Sequence, residues 1–96
     1  MEKLKNKIRN FPDAPGIYKF LGRDGRILYV GKAKSLKKRV ASYFTRTQDL
    51  SAKVQKLVQQ TRDIQFEVTK TEEEALFLED ELIKNYQPAF NILLRD

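Results

Sequence analysis

The 96 residues contain no cysteine and no histidine. Without cysteine there are no disulfides and no thiolate metal sites, and without histidine as well any bound metal must be held by oxygen ligands. Oxygen ligands favour magnesium or manganese over zinc. Nothing near Met1 resembles a signal peptide and no apolar run approaches the length of a membrane span, so the expectation is a soluble, cytoplasmic chain with no membrane partner. "VGKAKS" at 30–35 has the flavour of a phosphate loop but lacks the G-x-x-x-x-G-K-[ST] spacing, which excludes a nucleotide-cradling P-loop. Internal repeats and low-complexity runs are also missing.

What is present suits one globular domain: 41% hydrophobic residues, with four tyrosines and six phenylalanines. Nineteen Lys and Arg against thirteen acids give a net charge of +6. The charges are segregated. Lys32, Lys34, Lys37, Lys38 and Arg39 crowd one short segment, as a phosphate backbone would require, whereas Glu72 to Glu74 open a predicted helix, where the dipole favours negative charge.

"GIYKF" and "RILYVG" are β-prone runs joined by "LGRDG", whose Asp24-Gly25 pair signals a hairpin. A two-residue loop there sets Phe20 opposite Tyr29 and places Tyr18 and Tyr29 on one face, an inference that depends on register. Ser35 is a predicted N-cap for a helix with Leu36, Val40, Tyr43 and Phe44 on its apolar stripe and Arg39 at the stripe's edge. "MEKLKNKIRN" and "LSAKVQKLVQQT" read as helices, and "IQFEVTK" reads as a half-buried strand through Ile64, Phe66 and Val68. The tail is "QPAFNILLRD", where Pro88 stops the preceding helix. This order implies an α/β (α+β) domain, a small, mainly antiparallel three-stranded sheet flanked by helices.

The remaining helix, "TEEEALFLEDELIKNY" at 71–86, opens with a T-x-x-E capping box. Ala75, Leu78, Leu82, Ile83 and Tyr86 fall on one stripe, with Glu79 near its middle and Asp80, Glu81 and Lys84 opposite. Burying an unpaired carboxylate costs several kcal/mol, so Glu79 requires a cation, hydrogen-bond donors or a cleft beside it. A structural ion pair with Arg39 or Lys32 and a functional carboxylate explain that position equally well.

Gly16–Tyr18 (GIY), Tyr29–Gly31 (YVG), Arg39 in the next helix, Glu79 in "LFLEDELIK" and Asn91 in "PAFN" together resemble the GIY-YIG endonuclease family, and the flanking text is similar to its excision-repair branch. Val30 replaces the usual isoleucine, and Phe90 a frequent tyrosine. The resemblance implies an N-terminal nuclease domain over 1–96 of a longer multidomain protein. It also implies metal-dependent hydrolysis of a DNA phosphodiester, making the incision 3′ to a lesion in damaged duplex alongside a damage-recognition protein of excision repair. Implied catalytic residues are Tyr18, Tyr29, Lys32, Arg39, Tyr43, Glu79 and Asn91. Glu79 would hold one largely water-coordinated Mg²⁺ or Mn²⁺, Gly16 and Gly31 would shape the motif, and Lys32, Lys34, Lys37, Lys38 and Arg39 would meet DNA. Tyr29 would take the proton with Tyr18 orienting it, and Asn91 would position Glu79 or a nearby loop. The alternatives are a stand-alone nuclease of the family and a noncatalytic nucleic-acid-binding module.

Overall fold

Three antiparallel strands form the sheet of the computed structural model, which describes residues 2–94. Met1 and the last two residues of the predicted tail, Arg95 and Asp96, lie outside the described residues. The elements run α1 (Glu2–Arg9), β1 (Gly16–Leu21), β2 (Ile27–Ala33), α2 (Leu36–Thr45), α3 (Ala52–Gln60), β3 (Asp63–Val68), α4 (Glu72–Tyr86) and α5 (Ala89–Leu93). β1 is central and pairs with β2 on one side and β3 on the other.

Alternation along β1 separates two faces. Tyr18 and Phe20 enter the main core with Leu4, Ile8, Phe11, Leu36, Val40, Tyr43, Leu57, Val58, Ile64 and Phe90, supplied by α1 and the loop after it, α2, α3, β3 and α5. Ile17 and Val30, fully buried, lie outside that cluster on the other face, where α4 packs along β2 and β1. Ser35 caps α2 by accepting from the Lys38 N–H at 3.2 Å, and Ser51 caps α3 in the same way. Thr71 caps α4 by accepting from the Glu74 N–H at 3.1 Å, while the Glu74 carboxylate accepts from the Lys70 N–H, one residue ahead of the usual box partner.

The predicted register is present at Phe20↔Tyr29, but the loop differs. Asp24 (φ 66°) and Gly25 (φ 74°) take the left-handed conformations of a tight hairpin turn, yet the last strand pair is Leu21↔Ile27. The chain compensates with a bulge between Phe20 and Leu21, leaving Leu28 as the extra residue, buried in the main core.

Two further predictions need correction. Phe66 and Val68 are 39% and 50% exposed, because β3 is an edge strand and the helices cover only its Ile64 end. Tyr86, placed on the apolar stripe of α4, is 59% exposed, since the last turn of that helix reaches only the hairpin end of the sheet. The tail also holds an unanticipated element: Gln87 (φ 46°) ends α4 and Pro88 starts the short α5.

Candidate active site

Tyr18, Tyr29 and Tyr43 converge on the core face of the β1–β2 pair. The Tyr18 and Tyr29 rings are 6.3 Å apart and those of Tyr18 and Tyr43 5.9 Å, so Tyr18 and Tyr29 share one face, as their strand positions predict. Tyr18 lies opposite Gly31, and a Cβ on that glycine would run into the Tyr18 phenol. Gly16 is as constrained, since a Cβ there would strike the Glu67 carbonyl and Leu36. Both motif glycines are therefore matters of space.

The Tyr18 and Tyr43 hydroxyls share a 2.8 Å hydrogen bond, and Arg39 Nη2 donates to the Tyr43 oxygen at 3.3 Å. The i,i+4 spacing on α2 makes that second contact possible and also lays the Arg39 guanidinium 5.2 Å from the Tyr43 ring centre. Tyr18 is thus joined directly to Tyr43, which is only 5% exposed, so a phosphate would meet Arg39 before it met Tyr43. Burial raises the Tyr18 phenol well above its ordinary value. Tyr29 is pushed up to about 12, first by burial and then by Tyr43.

Glu79, midway along α4, is half-buried. Burial raises its carboxyl, and the Lys32 ammonium and backbone N–H only partly offset this. Among the described residues the ion pairs are Lys7–Asp63 and Arg46–Asp49, so neither Arg39 nor Lys32 closes on Glu79. The structural ion pair is therefore not formed.

Asn91 acts elsewhere than on Glu79. Its Oδ1 accepts from the Val30 N–H and its Nδ2 donates to the Val30 carbonyl, both at 2.9 Å, fixing the strand that carries Tyr29 and Gly31.

Beside these groups opens a cleft of about 510 Å³ lined by Lys32, Ala33, Lys34, Ser35, Lys38, Arg39, Ser42, Glu72 and Ala75. It gathers four of the five basic residues expected to meet a polyanion, while Lys37 is exposed outside the lining. Ser42 and Glu72 were not anticipated. Ser42 follows Arg39 by three positions on one helix face, a signal the sequence carried, but Glu72 arrives only through the packing of α4.

The UvrC-like GIY-YIG domain model matches residues 14–92. The chain belongs to that family. Among GIY-YIG relatives of known structure, the N-terminal endonuclease domain of UvrC from Thermotoga maritima, bound to magnesium as its catalytic divalent cation, superposes with a TM-score of 0.83 at 36% identity, covering 94% of this chain and 97% of that one. UvrABC system protein C of Flavobacterium psychrophilum is 51% identical over 96 residues, all of this chain and 16% of that protein. Its counterpart in Psychrobacter cryohalolentis is 53% identical over 94 residues, 98% of this chain and 15% of that protein. The chain thus spans about a sixth of the length of these full-length UvrC relatives.

Proposed function

We propose that this domain is a divalent-metal-dependent DNA endonuclease that makes the 3′ incision of nucleotide excision repair on damaged duplex. In a protein of the relatives' length it would act with UvrB-type damage-recognition partners. The observation that carries the reading is Glu79, a half-buried carboxylate raised by burial and in no ion pair among the described residues. That is a cost only partly offset by Lys32, of the kind found at sites that bind or react.

The residues fit one Mg²⁺ or Mn²⁺. No group of three or more acidic residues able to cage a metal occurs among the described residues, so Glu79 would supply the protein ligand and water most of the rest, in keeping with magnesium's reluctance to dehydrate. When bound, the ion supplies a Lewis acid that polarises a phosphoryl oxygen.

The chain's own side chains supply the remainder. Arg39 presents a planar fork to charge building on the phosphoryl oxygens, and its hydrogen bond to Tyr43 fixes the fork's direction. Lys32, exposed in the cleft, adds a second positive charge. Tyr18 is fully engaged with Tyr43 and holds the aromatic layer in place. Tyr29 is the least buried of the three tyrosines, and at about 12 it is a donor at neutral pH. Acting as the base near pH 7 would require roughly 7 kcal/mol of preferential phenolate stabilisation, at 1.36 kcal/mol per pKa unit. In our reading Tyr29 first orients the attacking water and removes its proton only when cationic charge is beside it.

The test pairs metal binding with cutting. Calorimetric titration of Mn²⁺ into the wild-type chain should show one site that Glu79→Gln abolishes, and cleavage of duplex DNA should fall at least 100-fold in the same variant. Glu79→Gln that cuts at the wild-type rate would overturn the assignment. Salt-sensitive DNA binding without any metal-dependent cutting, unaffected by Glu79→Gln, would favour the noncatalytic binding module.

A further inference from the structure

A second basic site lies away from the Tyr18–Tyr43–Arg39 centre. Arg23, Arg26 and Arg62 line one pocket of about 270 Å³ together with Gly22, Leu28 and Gln60. Two come from the hairpin loop and one from the junction of α3 and β3, so the grouping exists only in the folded chain. The left-handed residues Asp24 and Gly25 turn the loop between Arg23 and Arg26. The Gly22 N–H donates to the Arg26 carbonyl at 2.8 Å, closing the loop's base. Arg62 is held by Nη1 donating to the Gln59 carbonyl at 2.8 Å, with its backbone N–H donating to the Leu21 carbonyl at 2.7 Å, so part of its fork is anchored and part is left over.

No carboxylate lines the pocket. Asp24 sits in the same loop but outside the lining, and Asp63, next to Arg62 in sequence, is engaged by Lys7 at 2.6 Å and by the Ile64 N–H at 2.9 Å. None of the three guanidiniums is in an ion pair among the described residues. Three like charges gathered without a counter-ion repel one another, and guanidinium forks match phosphate oxygens bidentately, so a polyphosphate backbone suits the cluster.

We propose that this pocket is a second contact for the phosphate backbone of the nucleic acid, at the opposite end of β2 from the basic cleft. The inference rests on the endonuclease reading above. Arg26 precedes the first residue of β2, whereas Lys32 and Ala33 at its far end line the cleft. At about 3.3 Å per residue the two sites are on the order of 20 Å apart, a separation spanned by roughly six base pairs. The duplex would thus be held at two points and oriented across the cleft between them.

The test is duplex binding by fluorescence anisotropy, with Ca²⁺ in place of Mg²⁺ to prevent cutting. It compares the wild-type chain, Arg23→Gln/Arg26→Gln and Lys34→Gln/Lys38→Gln, with thermal melts to verify that each is folded. On a duplex of about 20 base pairs, the arginine pair should bind roughly tenfold more weakly, and its slope of log K against log salt should be smaller by about 1.8, the value for two lost phosphate contacts. On a hairpin of about four base pairs, too short to reach both sites, it should match the wild type. Unchanged binding of the long duplex by the arginine pair, with weakened binding by the lysine pair, would overturn this site and leave the nuclease reading intact. A wild-type chain that binds neither duplex would overturn both.

Discussion

At the scale of the residue, space and charge act on the same few side chains. Gly31 exists to admit the Tyr18 ring, which is 1% exposed and pinned by Tyr43. Gly31→Ala should therefore destabilise the domain by about 1–3 kcal/mol, lowering Tm by roughly 5–15 °C in a calorimetric scan, and should reduce cutting by displacing the Tyr18 hydroxyl. The tyrosines also predict an alkaline limit. Burial raises Tyr18 and Tyr29 above the ordinary phenol value of 10.0, Tyr29 to about 12. Below pH 10 both phenols are neutral whether the chain is folded or not, so their contribution to stability is fully present. As pH rises from 10 towards 12 the unfolded chain ionises first, and stability is lost. Denaturant titrations across that range should show a steeper fall for the wild type than for Tyr29→Phe.

At the scale of the element, the sheet depends on an amide borrowed from the tail. Asn91 satisfies both backbone groups of Val30, and Asn91→Ala leaves them without a protein partner. The cost should be about 1–3 kcal/mol for each group that remains shielded from water, read as a lower midpoint in urea, with slower cutting because β2 also carries Tyr29. The sequence showed the strands and helices well, because their periodicities and caps are local: Ser35, Thr71 and the alternation of Ile17 to Phe20 act within a few residues. Contacts requiring distant segments to meet were hidden. The bulge at Leu28 reads in sequence like any regular strand, the five-residue α5 is too short for a periodic signal, and nothing in "PAFN" says that its amide will reach Val30. The site was legible to the same extent. Parity placed Tyr18 and Tyr29 together and helical spacing placed Arg39 near Tyr43, but the Tyr18–Tyr43 bond and the open state of Glu79 depend on how α2 and α4 seat on the sheet.

At the scale of the molecule, a net charge of +6 is arranged unevenly. The cleft gathers Lys32, Lys34, Lys38 and Arg39, while the exposed side of α4 carries Glu73, Asp80 and Glu81 beside an exposed Phe77. A polyanion therefore approaches from one side, and binding that releases its counter-ions must weaken as salt rises. Duplex affinity should fall by about a hundredfold or more between 50 and 200 mM salt, as about four phosphate contacts give, and a flat salt response would contradict that orientation.

The Asn91 amide also decides how the sheet can grow. It serves as one rung of a missing fourth strand, and with α5 packed along β2 it closes that border, while β3 stays an edge strand with Phe66 and Val68 partly exposed. A sheet with two open borders can recruit copies without end, whereas one with a single open border can join only one other before both are closed. Strand pairing between copies of this domain would therefore stop at a dimer, because the same amide that steadies the Tyr29 strand blocks the second border along which a fibre would grow.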